Sequence, residues 1–134
     1  LTPEFLALVP GFFATDAEES VRSLESLVRM CVVHEPPAED VYLMLGYNAL
    51  VPPYVRQTLF SRSFDNDDLL PNIGVPVLIT HGPADAVVKP AAVDQRKAGL
   101  AKAQVELMDE AGHACFWDDP ATFNRHLRAF AEAL

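Results

Sequence analysis

The pattern of apolar and polar positions changes period near residue 70. Before it, apolar residues recur at helical spacing. Val21, Leu24, Val28, Cys31 and Val32 fall on one face after Thr15-Asp16-Ala17-Glu18. Thr15, with Glu18 three residues on, makes a capping box, so this helix is predicted to start there. Pro36-Pro37 ends it and opens a second, in which Val41, Met44, Leu45 and Asn48 share a face. Pro52-Pro53 opens a third, with Val55, Leu59 and Phe60 inward. Phe64-Asp65-Asn66-Asp67-Asp68 reads as a turn into a short helical step through Leu69 and Leu70, where carboxylates suit the positive end of the helix dipole.

Past Pro71-Asn72-Ile73-Gly74 the texture is different. Val75-Pro76-Val77-Leu78-Ile79-Thr80 is a continuous apolar run between turn residues, the pattern of a strand buried on both faces. Residues 90–100 read as a helix and 104–108 as a second strand. Asp119-Pro120 supplies an N-cap and a first-turn proline before Phe123, Leu127, Phe130 and Leu134. Strand, helix, strand, helix implies a parallel pair joined by a right-handed crossover. The expected class is α/β, with a helical region 1–70 and an α/β region 71–134. Two parallel strands are too few for an independent sheet, so the pair is expected to join a larger one.

Composition narrows the function classes. Half of the 134 residues are apolar, enough for a core, and no apolar run approaches the ~18 residues of a membrane span. With 10 Lys and Arg against 19 Asp and Glu, the net charge of −9 repels phosphate backbones and anionic lipid, which argues against nucleic acid or a membrane surface as partner. Cys31 and Cys115 lack paired spacing, and the four histidines lack a ligand pattern such as H-x-x-x-H. The acidic run 65–68 is not followed by the glycine and glutamate of a calcium loop. No metal or cofactor is expected. The chain opens on Leu1 without a charged leader, and unpaired cysteines make a reducing, cytoplasmic setting the default.

Two loops concentrate the candidate chemistry. His81-Gly82-Pro83-Ala84-Asp85 follows the first strand and Gly112-His113 the second. Parallel neighbours lie roughly 5 Å apart. Both loops therefore leave at the carboxyl edge where open α/β sheets bind ligands. Asp85 and His113 are expected to touch. A carboxylate accepting from one imidazole N–H fixes the tautomer and stabilises the imidazolium that forms when the other nitrogen takes a proton. Taken alone, an aspartate after a strand is commonly a turn former and a Gly-His a surface loop. Their placement at two adjacent strand exits favours the pair. Of the other candidates, Cys115 reads as a small pocket-lining residue, His81 as a structural partner of loop backbone, and His34 and His126 as helix-surface positions. Phe12, Phe13, Met30, Met44, Tyr47, Tyr54 and Phe60 together favour a small hydrophobic acyl or aromatic substrate.

Residues 76–88, PVLITHGPADAVV, and 111–123, AGHACFWDDPATF, resemble the last two strand exits of the α/β-hydrolase fold superfamily. The resemblance implies that Asp85 is the triad acid, His113 the triad base and residues 1–70 a cap over the pocket. Phe116-Trp117-x-Asp-Pro is a frequent companion of the histidine in cap-bearing esterases, C–C hydrolases and cofactor-free haloperoxidase-like members. Cys115 departs from the pattern, where a proline or another apolar residue is usual. A larger departure is that no G-x-S-x-G elbow is present. Ser20, Ser23, Ser26, Ser61 and Ser63 all lie outside such a motif, and the oxyanion loop is missing too. The expectation is therefore the carboxyl-terminal half of an ester hydrolase, inactive alone, with its nucleophile on a missing amino-terminal half of the same or a separate chain. That nucleophile is serine for an esterase, perhydrolase or C–C hydrolase and aspartate for a dehalogenase. The alternative is a non-catalytic ligand-binding or regulatory module of the same fold.

Overall fold

The computed structural model describes residues 1–63 and 66–134. Helix α1 spans Pro3–Phe12. Thr2 caps it by accepting from the Phe5 N–H at 3.2 Å, and Pro3 fills a first-turn position that needs no donor. Helix α2, Ala17–Met30, starts one residue later than the capping box suggests. Asp16, not Thr15, is its N-cap and accepts from Glu19 N–H at 2.9 Å. Aspartate outranks threonine at this position and adds a charge suited to the dipole.

The buried stripe of α2 is Ser20, Leu24 and Val28, and Val21 is exposed. Cys31 and Val32 lie beyond the helix end. Against Gly11 on α1, α2 approaches so closely that a Cβ would stand 1.9 Å from the Ser23 hydroxyl oxygen. Helices α3, Ala38–Ala49, and α4, Pro53–Phe60, take Pro37 and Pro52 as N-caps, so both proline pairs mark helix starts. Arg56 on α4 donates to the Phe12 carbonyl at 2.7 Å and the Asn48 carbonyl at 3.0 Å, tying the carboxyl ends of α1 and α3 to α4. Phe60 packs its ring 5.5–6.3 Å from Phe5, Phe12 and Phe13. Leu59 and Phe60, both expected inward, are exposed, Phe60 in spite of these ring contacts.

A short 3-10 helix, Asp67–Asn72, leads to the strands, while Phe64 and Asp65 of the predicted turn lie outside the described residues. Strand β1, Val77–His81, pairs in parallel with β2, Ala103–Leu107, through helix α5, Ala91–Gly99. The register sets Ile79 beside Val105 and His81 beside Leu107. β1 begins at Val77 rather than Val75, just after Pro76, which has no N–H for a ladder. Burial on both faces is not found: every residue of β1 is half-buried. The described sheet has two strands, so β1 has a neighbour on one side only.

The single turn α6, Cys115–Asp118, precedes α7, Pro120–Glu132. Asp119 caps α7, accepting from Thr122 N–H at 2.9 Å. That backbone bond holds its carboxyl below the usual range. Phe123 and Phe130 are half-buried on this helix, but Leu127 and Leu134 are exposed.

The larger core cluster, Phe5, Phe12, Leu24 and Val87, joins the helical layer to the loop after β1. Thr2 pins the same junction, its N–H donating to the Val87 carbonyl at 3.0 Å and its hydroxyl to the Ala86 carbonyl. The accessible surface is 8702 Å². A compact monomer of this mass exposes about 6900 Å². Among the described residues no helix is long and apolar enough to cross a membrane.

Candidate active site

The two strand exits meet above the carboxyl edge of the sheet. Ala84 N–H donates to the Ala111 carbonyl at 3.2 Å, and Asp85 N–H turns back to the Gly82 carbonyl at 3.0 Å. Gly82 makes the approach possible, since a Cβ there would lie 2.0 Å from the Ala111 carbonyl oxygen. This crossing presents Asp85 to His113. Asp85 Oδ2 stands 3.0 Å from His113 Nδ1, and Asp85 Oδ1 accepts from the N–H groups of Val87 and Val88 at 2.7 and 2.8 Å.

The Asp85 side chain is 2% exposed and that of His113 41%. A buried carboxylate with one oxygen occupied by two amides can offer only the other, so the imidazole meets a fixed acceptor. With Nδ1 facing Asp85, Nε2 is the nitrogen left to exchange a proton.

The neighbouring candidates are placed differently from their sequence readings. His81, expected to serve loop backbone, has Nδ1 3.8 Å from Asp85 Oδ2, beyond hydrogen-bond range, and its Nε2 is buried without a partner among the described residues. His126 is not a free surface residue: Nδ1 lies 2.8 Å from Glu106 Oε2, tying α7 to β2. Hydrogen bonding from Gln104 first, then His126, holds the Glu106 carboxyl below its usual range. His34 is exposed as expected, but in the connection after α2 rather than on a helix.

Cys115 is buried with Met108 and Ala111 against Phe123, in a small core. Cys31, read from its spacing only as part of an apolar helix face, lies close enough to Asp85 to feel its charge. Burial, and then that carboxylate, push its thiol up to about 11. It is a protonated neighbour of the pair, unsuited to nucleophilic attack at neutral pH.

Beside the histidine loop, Leu27, Val28, Met44, Tyr47, Phe116 and Trp117 line much of an apolar cleft of about 360 Å³. Of the aromatic and methionine candidates, Met44 and Tyr47 face this cleft. Phe12 and Phe60 line a second one of about 240 Å³, Phe13 and Met30 pack against the core, and Tyr54 is exposed. Among the described residues no group of three or more His, Cys, Asp or Glu side chains is placed to hold a metal ion.

One contact beside the histidine has no counterpart among the sequence readings. Asp118 Oδ2 accepts from Gly112 N–H at 2.8 Å and its Oδ1 from Val33 N–H at 2.9 Å. In the sequence it stands beside the N-cap Asp119, and nothing in the pattern separates their tasks.

No family model matches the chain, and no curated protein matches it. Solved structures do. A Burkholderia cenocepacia protein described as an aryl esterase superposes with TM-score 0.89 at 26% identity, over 99% of this chain and 48% of its own. An esterase from Rhodococcus sp. ECU1013 gives 0.85 at 30% identity, over 96% and 47%. An esterase from Exiguobacterium antarcticum gives 0.80 at 21% identity, over 96% and 47%, a likeness of fold. This chain thus spans about half the length of the structures it matches, and the half is the carboxyl-terminal one.

Proposed function

We propose that this chain, whose fold is that of the carboxyl-terminal half of the α/β-hydrolases, supplies the acid and base of a serine-type ester hydrolase. The observation that carries the reading is the 3.0 Å approach of His113 Nδ1 to a buried Asp85 carboxylate whose second oxygen is already occupied. In the proposed cycle Asp85 fixes the histidine tautomer. His113 Nε2 takes the proton from a nucleophilic hydroxyl as it attacks the ester carbonyl, then passes that proton to the leaving alcohol. A water follows the same route, giving its proton to His113 as it attacks the acyl intermediate, and regenerates the enzyme.

The nucleophile and oxyanion donors belong to an amino-terminal half on the same or another chain, since no G-x-S-x-G occurs here. Its strands would pair beside β1, and the surface in excess of a compact monomer supports such a partner. Residues 1–70 act as the cap in this reading. The cleft beside the histidine loop, lined by Leu27, Met44, Tyr47 and Trp117, suits a small apolar acyl or aryl ester.

Asp85→Asn, in the protein with its amino-terminal half present, tests the assignment. An asparagine amide facing Nδ1 favours the wrong tautomer, so kcat on p-nitrophenyl esters should fall by about 10⁴. A kcat within about tenfold of wild type would move the acid role to another carboxylate.

A further inference from the structure

Both backbone N–H groups flanking His113 are held, and each hold involves the segment that follows α2. Gly112 N–H donates to Asp118 Oδ2 at 2.8 Å, while Ala114 N–H donates to the Cys31 carbonyl at 2.7 Å. The other oxygen of Asp118 accepts from Val33 N–H, 85 residues away in sequence, at 2.9 Å. One carboxylate thus bridges the residue before His113 to the residue two past Cys31. The seat is tight around Gly112. A Cβ there would lie 3.3 Å from the Cys31 carbonyl oxygen and 3.4 Å from Asp118 Oδ2. Asp118 closes the single turn α6, so its carboxylate reaches back over the loop that carries the histidine.

From this we infer that Asp118 is a positioning residue for His113. It fixes the imidazole against Asp85 by clamping the backbone on the amino side of His113 to the helical layer, as the Cys31 carbonyl does on the other side. This rests on the hydrolase reading above. Asp85 sets the ring's tautomer and direction, whereas Asp118 sets where the ring's backbone stands. An isolated loop contact would do neither, because Gly112 could then slide away from the sheet edge with His113 attached.

The test compares Asp118→Ala and Asp118→Asn with wild type and Asp85→Asn, all with the amino-terminal half present. Rates are taken per folded molecule, well below each variant's melting temperature. Alanine releases both amides; asparagine has one carbonyl oxygen and can keep only one. The expected order is wild type, then asparagine, then alanine. Asp118→Ala should lose about 10- to 100-fold in kcat, the scale of a misplaced catalytic group. KM should stay within about threefold, since the loss falls on an interaction realised in the transition state.

A stability role alone would lower the melting temperature and leave kcat per folded molecule unchanged, which would overturn the inference. A raised KM with unchanged kcat would overturn it too. Should Asp118→Ala not fold, Asp118→Asn carries the same comparison. If Asp118→Ala keeps full kcat while Asp85→Asn is crippled, only the positioning role fails. If both keep it, the hydrolase reading has failed first.

Discussion

Two side chains around Asp85 answer its charge in opposite ways. His113 is held by it, 3.0 Å away and 41% exposed on its solvent side, whereas the half-buried Cys31 is discouraged from ionising beside it. A thiol raised from 9.0 to about 11 carries little thiolate at neutral pH. Alkylation of Cys31 by iodoacetamide at pH 8, followed by mass spectrometry, should therefore run about 100-fold slower than that of an unperturbed thiol. Because the folded value is the raised one, reactivity should go on climbing with pH until about 11, whereas an unperturbed thiol would level off near 9. Labelling at the ordinary rate would mean that the thiol is neither buried nor under the influence of Asp85.

The elements are held to one another at a few close approaches, and Gly82 is the one that matters most to the site. Added there, a Cβ would meet backbone, the Ala111 oxygen at 2.0 Å and carbon at 2.3 Å, so no side-chain rotation relieves it. Gly82→Ala should cost more than about 2 kcal/mol in urea unfolding and should pull the Asp85 loop from His113. Near-wild-type stability would show that the two loops are not locked together.

Much at this scale was legible in the sequence. Both proline pairs mark helix starts, Asp119-Pro120 opens α7, and strand, helix, strand gave the parallel pair with its two exits. Local rules reach that far because caps and turns are decided within a few residues. They failed where the answer is long-range. Nothing within a few residues of Asp118 shows that it bonds Val33, 85 residues away. Leu59 and Leu127 follow a clean helical period yet lie exposed, since periodicity tells which face is apolar but not whether a neighbour covers it.

At the scale of the whole molecule the apolar pattern outruns what the chain buries. Its 8702 Å² of surface exceeds the roughly 6900 Å² of a compact monomer of this mass. The half-buried β1, in a described sheet of two strands, is what a larger parallel sheet would look like with its remaining strands set aside. The hydrolase proposal accounts for the surface, the sheet edge and the missing nucleophile motif with one partner half. His113→Ala, made with that half present, reaches the claim most directly. The side chain is 41% exposed, so its loss opens no core, and an unchanged far-UV circular dichroism spectrum confirms the fold. With p-nitrophenyl butyrate as substrate, kcat is expected to fall by about 10⁴ or more, as in triads stripped of their base. An unchanged kcat in the folded variant would contradict the assignment of His113 as the base.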